Sequence, residues 1–310
     1  MKQEFYYLSR DGKTQIHAIE WVPEGKIKGV LQICHGMVEY IDRYHEFAEY
    51  MSENGYYVTG HDHLGHGKSI QSEEELGYFD ETRGNQYVIG DIQKLREMTM
   101  KKYPDAPYYM LGHSMGSFLL REYLTMYGKG LDGAVIMGTG YQSALILNAG
   151  QLVCRVIAAF KGWKHRSRFV DNLSFGSYNK RFEPSETTKD WITSDREKRQ
   201  KYVEDPLCSY MFTLGAYYQM FEGMKVLTKK ESLERIPKDL PILFVSGKDD
   251  PVGAFGKSVT KVYEKYKSAG IHNVSIHLYQ GDRHEILNEV DREKVYHDIL
   301  RWIETKEYVE

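Results

Sequence analysis

The sequence predicts an α/β protein: a mostly parallel central sheet flanked by helices, with a helical cap inserted into it. Three observations lead there. Short apolar runs without alternation recur at 30–34, 56–59, 108–111, 134–137 and 242–245, the texture of strands covered on both faces by crossover helices. Stretches of helical length separate them. Between about 139 and 214 the alternation stops, for longer than a loop within a compact domain allows.

The elements follow in order. Residues 5–9 and 14–21 read as strands joined by the turn dipeptide Asp11-Gly12, with Ile16, Ala18 and Glu20 alternating against polar neighbours in the second. Helical stretches are expected at 43–54, 86–103, 116–127, 257–268 and 285–304. In the third of these, Phe118, Leu119, Tyr123, Leu124 and Tyr127 approximate a helical stripe. A last strand is expected at 274–279. The organisation is therefore a first part of the core at 1–138, a cap at 139–214 and a second part of the core at 215–310.

Composition removes several classes of function. The 310 residues are 41% hydrophobic and 27% charged, with 28 Gly and 8 Pro, which excludes collagen, coiled coil and wholesale disorder. A net charge of −3 gives no electrostatic drive toward nucleic acid. Cys34, Cys154 and Cys208 are odd in number and far apart, neither a disulfide framework nor a C-x-x-C site. The opening MKQEFYYLSRDGK lacks the apolar stretch of a signal peptide, so the expected location is cytoplasmic, with peripheral membrane contact through the cap.

The chemistry concentrates in Gly112-His113-Ser114-Met115-Gly116, a G-x-S-x-G pattern between an apolar strand and a helix. Glycines on both sides permit the tight turn that exposes a nucleophile. A serine nucleophile needs a base, and the base needs an orienting carboxylate, in the chain order Ser, acid, His. Downstream, the strand at 242–245 runs into Ser246-Gly247-Lys248-Asp249-Asp250, and the strand at 274–279 into Gly281-Asp282-Arg283-His284. Ser114, an Asp at 249 or 250, and His284 thus fall at carboxyl ends of strands, where such sheets bind ligands. His35-Gly36-Met37 follows the strand at 30–34 and turns beside the nucleophile, so the backbone N–H groups of Met37 and Met115 are candidates for an oxyanion hole.

HGMVEYIDRY (35–44), DHLGHGKS (62–69), GHSMG (112–116), SGKDDPV (246–252) and RHEILNE (283–289) together resemble the monoacylglycerol lipase and lysophospholipase branch of the α/β-hydrolases, a serine aminopeptidase S33-like group. The resemblance runs from about 14 to 305 with order and spacing kept. It implies Ser114 as nucleophile, His284 as base, and Met37 and Met115 as oxyanion donors. It also selects Asp250, three residues after the strand-ending glycine, over Asp249. It implies a carboxylic ester hydrolase for single-chain acyl lipids that needs no cofactor and no metal. Relatives acting on monoacylglycerol use a Glu and an Arg after the H-G turn for the glycerol head, matching Glu39 and Arg43. Their His three residues past the catalytic His is Leu287 here, which implies only a modest preference for glycerol esters. Short-chain carboxylesterase, thioesterase and aminopeptidase activities would use the same residues.

Two further patterns carry competing readings. His61-Asp62-His63-Leu64-Gly65-His66 contains metal-ligating types, but the family pattern D-x-x-G-H-G-x-S accounts for most of it as a structured loop. In the cap, Leu145, Ala149, Leu152, Val153, Val156 and Phe160 recur at helical spacing, followed by Lys161, Lys164, Arg166 and Arg168. Such a stripe packs onto a core or dips into a lipid headgroup layer. The stretch Tyr210, Met211, Phe212, Tyr217, Tyr218, Met220 and Phe221 suits an acyl-chain tunnel or ordinary packing.

Overall fold

A computed structural model describes residues 1–307. The chain opens with β1 (Lys2–Leu8), β2 (Gln15–Trp21) and β3 (Gly29–Cys34), then α1 (His45–Glu53), β4 (Tyr56–His61), α2 (Gly84–Lys102) and β5 (Tyr108–His113). α3 (Met115–Tyr127) and β6 (Gly133–Met137) follow. A strandless run then carries α4 (Ala144–Lys161), α5 (Arg168–Phe175), α6 (Arg196–Glu204), α7 (Leu214–Val226) and α8 (Lys230–Glu234). β7 (Ile242–Gly247), α9 (Lys257–Ser268), β8 (Val274–Tyr279) and α10 (Arg292–Thr305) complete it.

The strands form one sheet in the order β1-β2-β4-β3-β5-β6-β7-β8, antiparallel at β1/β2 and β2/β4 and parallel from there on. Side chains along β3 alternate between two cores: Val30 and Cys34 pack with α2, α3 and α9, while Leu31 and Ile33 pack with α1 and α10. That two-sided burial is why the parallel strands read as unbroken apolar runs. β2 departs from the expected alternation. It lies inside the sheet between β1 and β4, and every residue from Ile16 to Trp21 is buried, the polar His17 and Glu20 included. His17 stays inside because Asp62 and Glu4 take its two ring nitrogens at 2.8 and 3.0 Å.

The last helix also starts later than its apolar pattern suggests. Residues between His284 and Arg292 form a loop with a 3₁₀ turn at Ile286–Asn288. Glu285 and Glu289 hold it there, the first on Arg43 and the second on Ser194 and the Arg283 backbone N–H.

Over the carboxyl ends of the strands, α4 lies against α7, and α7 in turn against α3 and α2. Ser143 and Thr213 cap the N-termini of α4 and α7 by accepting from the N–H groups of Ile146 and Ala216. The face of α4 turned inward is Leu147, Gln151, Cys154 and Ala158. The stripe prominent in the sequence points the other way: Leu145, Leu152, Val156 and Phe160 are 53–84% exposed.

Candidate active site

Ser114 sits between β5 and α3 with φ 52° and ψ −118°, a backbone conformation rare for a residue with a side chain. Packing enforces it. A Cβ on Gly116 would lie 2.1 Å from the Cys34 carbonyl oxygen, and one on Gly112 would lie 2.4 Å from the Gly116 carbonyl oxygen. The turn therefore closes tightly against the end of β3. The Ser114 N–H donates to the Met137 carbonyl at 3.0 Å, which locks the turn to β6.

His284 lies in the loop after β8, with Nδ1 3.0 Å from Asp250 Oδ2. The distance is that of a hydrogen bond, although the Nδ1–H direction is out of line with the oxygen. Asp250, fully buried after β7, is fixed by the Val252 N–H on Oδ1 at 2.8 Å and the Ser246 hydroxyl on Oδ2 at 3.2 Å. Its neighbour Asp249 turns outward to Arg181 at 3.1 Å. Of the adjacent aspartates, only Asp250 faces the imidazole.

The turn after β3 meets Ser114 directly, since a Cβ on Gly36 would lie 3.1 Å from the Ser114 Cβ and 2.5 Å from Glu39 Oε1. Met37 and Met115 both line the cavity that Ser114 and His284 share. Met115 is the first residue of α3, so its N–H lies outside the helical ladder and is free to donate.

Behind this turn is a buried ionic group. Glu39 Oε1 accepts from the Gly36 N–H (2.5 Å), the Tyr44 hydroxyl (2.8 Å) and His113 Nδ1 (3.1 Å), and Oε2 accepts from Arg43 (2.6 Å). Arg43 also forks onto Glu285 at 2.7 and 2.8 Å. Burial alone would raise the Glu39 carboxyl, but His113 and Arg43 together hold it well below the usual carboxylate range. Burial likewise opposes charge on His113, and the hydrogen bond and charge of Glu39 outweigh it and raise its pKa. The structure thus brings Glu39 and Arg43 together as partners of each other and of the His284 loop. Glu39 borders the cavity, whereas Leu287 packs in the core beneath it.

The cavity measures about 430 Å³. One part is apolar, lined by Phe118, Leu147, Val153, Met220, Phe221 and Met224. Tyr210 also lines the cavity, while Phe212 and Tyr217 are core residues. The other part contains Trp191, whose ring lies 5.1 Å from that of His284. Nothing in the sequence around Trp191 marks it. It arrives because residues 190–194 of the cap run beside the His284 loop: Ile192 O accepts from the Glu285 N–H at 2.7 Å, and the Thr193 hydroxyl donates to Asn288 O at 2.9 Å.

The His61–His66 loop uses its side chains internally. Asp62 accepts from His17 and from the Ile41 and Lys68 N–H groups, and the His63 N–H donates to His35 Nε2 at 2.8 Å. Among the described residues, no three His, Cys, Asp or Glu side chains converge as metal ligands.

An eight-stranded, mostly parallel sheet with this strand-to-helix turn defines an α/β-hydrolase. Comparison with known proteins agrees. The chain belongs to the family described as serine aminopeptidase, S33, which it matches over residues 25–291. It is 25% identical to a monoacylglycerol lipase of Mycolicibacterium smegmatis, over 91% of this chain and 90% of that one. It is 27% identical to a monoglyceride lipase homolog of monkeypox virus, over 93% and 94% of the two chains. A solved carboxyl esterase of Bacillus coagulans in complex with glycerol superposes with a TM-score of 0.90 at 30% identity, covering 98% of both chains. The protein is a carboxylic ester hydrolase.

Proposed function

We propose that the protein hydrolyses esters of single-chain acyl lipids through Ser114, His284 and Asp250 by way of an acyl-enzyme. The observation that carries this reading is the arrangement at one cavity: Ser114 on a strained turn, and His284 with the buried Asp250 3.0 Å behind its far nitrogen. His284 takes the Ser114 proton as the oxygen attacks the ester carbonyl. The N–H groups of Met37 and Met115 receive the developing oxyanion, each donor worth about 2.7–4 kcal/mol in the transition state. His284 then hands its proton to the departing alcohol and later activates water. Asp250 holds the imidazole tautomer and offsets its charge.

The lipid part of the proposal rests on the cavity and its roof. A volume of about 430 Å³ suits one medium-sized ligand, and its apolar part suits one acyl chain. Ile146, Ala149 and Leu173 are exposed on the outside of the cap and also line the cavity. The exposed apolar face of α4 and α5, with Phe160 and Phe169, is therefore continuous with the entrance. α4 carries no acidic residue, and Lys161, Lys164, Arg166 and Arg168 follow one another at its end, a charge pattern complementary to anionic headgroups. The proposed cap face rests on a lipid surface so that a single-chain ester passes into the cavity without crossing water.

The test combines labelling with turnover. A fluorophosphonate is expected to label the wild-type chain and not Ser114→Ala, and the variant should lose about 10⁴–10⁶-fold in turnover of a monoacylglycerol. Labelling that persists in the variant puts the nucleophile elsewhere. Wild-type turnover confined to short water-soluble esters refutes the lipid assignment.

A further inference from the structure

Among the described residues that line the cavity, Lys189 is the one Lys or Arg. Its backbone is pinned in a rigid turn: the N–H donates to the Thr187 hydroxyl at 3.1 Å, and the carbonyl accepts from the Ile192 N–H at 3.0 Å. Asp190 holds the same turn through the N–H groups of Glu186 and Thr187. The side chain, by contrast, has no hydrogen bond and no ion pair among the described residues. Its ammonium lies 5.9 Å from the Trp191 ring centroid, at the outer limit of a cation–π contact.

The carboxylates around the cavity are otherwise engaged. Glu39 and Glu285 share Arg43, and Asp171 Oδ1 accepts the Tyr217 hydroxyl at 2.8 Å. Burial pulls the Lys189 ammonium below its ordinary pKa, and the charge of Asp171 counters this only in part. This is a partly buried cation on a fixed backbone that lacks a close counter-charge.

Its position says which part of a substrate it meets. Lys189, Trp191 and His284 follow one another, 5.9 and 5.1 Å apart. The general acid protonates the leaving group, so the side of the cavity next to His284 is the alcohol side. The acyl side is the apolar part formed by α3, α4 and α7. We propose that Lys189 is a specificity-determining contact for a phosphate on the leaving alcohol, so that the enzyme favours single-chain esters of a phosphorylated glycerol over those of glycerol itself. The inference rests on the ester-hydrolase reading and goes beyond it by naming the charge of the alcohol. A phosphate oxygen would supply the missing counter-charge in a site shielded from water, where a charge-assisted hydrogen bond is strongest.

The experiment compares kcat/KM for 1-acyl-glycerol 3-phosphate, 1-acyl-glycerophosphocholine and 1-acyl-glycerol of one chain length at fixed ionic strength. It uses the wild type, Lys189→Met (which keeps the stem) and Lys189→Arg. The ratio of phosphorylated to neutral ester should exceed one in the wild type. It should fall by about 10–100-fold in Lys189→Met, mainly through KM, and recover in Lys189→Arg. A fall with the phosphomonoester alone assigns the contact to a terminal phosphate, and a fall with both phosphorylated esters assigns it to phosphate in either linkage. Glycerol 3-phosphate, and not glycerol, should slow fluorophosphonate labelling of the wild type, a readout independent of any folding defect in a variant. A ratio unchanged within about threefold in Lys189→Met, or equal protection by glycerol and its phosphate, overturns the proposal while leaving ester hydrolysis standing. A wild type that neither labels nor turns over any of the three esters overturns both.

Discussion

At the scale of single residues, Ser114 shows local strain at the position proposed for the nucleophile. Its φ of 52° is imposed by the Gly112 and Gly116 contacts and the bond to Met137, and a side chain in such a region costs about 1–3 kcal/mol. Ser114→Gly relieves that cost, whereas Ser114→Ala keeps it. The glycine variant should therefore be the more stable of the two in urea, by up to about 2 kcal/mol once glycine's extra chain entropy of about 0.4–1 kcal/mol is subtracted. Equal stabilities would mean that the turn is relaxed. The two aspartates give a second prediction. Asp250→Asn should reduce turnover about 10⁴-fold, because the amide cannot hold the imidazole tautomer. Asp249→Asn should change it by less than about threefold, since its carboxylate meets Arg181 at the surface. Kinetics of the two variants on one ester decide the matter, and a reversed order would sink the assignment of Asp250. The sequence motif places both carboxylates after β7, and only the family register or the fold distinguishes them. Trp191 and Lys189 are a different case. Their closeness to His284 depends on pairing between segments some 93–95 residues apart, and no local pattern encodes that.

At the scale of elements, α4 explains why its amphipathic pattern has two readings. It carries two apolar faces: Leu147, Cys154 and Ala158 pack inward, and Leu145, Leu152, Val156 and Phe160 point out. By length and composition α4 matches a buried helix or a membrane span, with Asn148, Gln151 and Arg155 interrupting, so periodicity alone cannot rank the faces. The outward face makes a direct prediction for lipid association. Burying Leu152 and Phe160 in an acyl layer is worth about 1.5–3 kcal/mol each. Leu152→Glu with Phe160→Glu should thus lower binding to anionic vesicles by at least about 100-fold in a flotation assay. Hydrolysis of a water-soluble short-chain ester should stay the same, because neither side chain lines the cavity. Undiminished flotation would refute the cap face as the docking surface. The parallel strands lay at the opposite extreme of legibility. Those from β3 to β7 are short runs buried on both faces, whereas β8 at the sheet edge is only partly buried. β2 misled because its polar residues are buried as pairs, His17 with Asp62 and Glu20 with Tyr57, which leaves no trace in local hydropathy.

At the scale of the whole molecule, the carboxyl edge of the sheet is bound together by buried polar groups from distant segments. These include the Glu39–Arg43–Glu285 group and the histidines at the end of β4 and in the turns after β3 and β4. His35, His61, His63 and His66 are all buried, and burial, the largest cause, depresses each of them, His61 and His66 to about 3. The folded chain keeps these rings neutral while the unfolded chain protonates them near pH 6.5. Between about pH 6.5 and 3 the unfolded state therefore binds more protons at His61 and His66. By linkage His61 and His66 each remove about 1.4 kcal/mol of stability per pH unit as the pH falls through that window, and His35 and His63 act in the same direction. Asp91 and Glu122, which burial pushes up to about 7, act in the opposite sense over much of the same range, so the absolute pH profile mixes the two. A difference between variants separates them. His66 makes one hydrogen bond through Nδ1, to Leu64 O at 3.2 Å, and packs against Phe79 and Phe212. His66→Gln deletes one titrating ring and leaves Asp91 and Glu122 in place. Whatever the variant's stability at pH 7, its further loss between pH 7 and pH 5 should be about 2 kcal/mol smaller than that of the wild type. Urea titrations of both chains at the two pH values measure the difference directly. A difference below about 0.5 kcal/mol, or one of opposite sign, would show that His66 is already protonated in the fold.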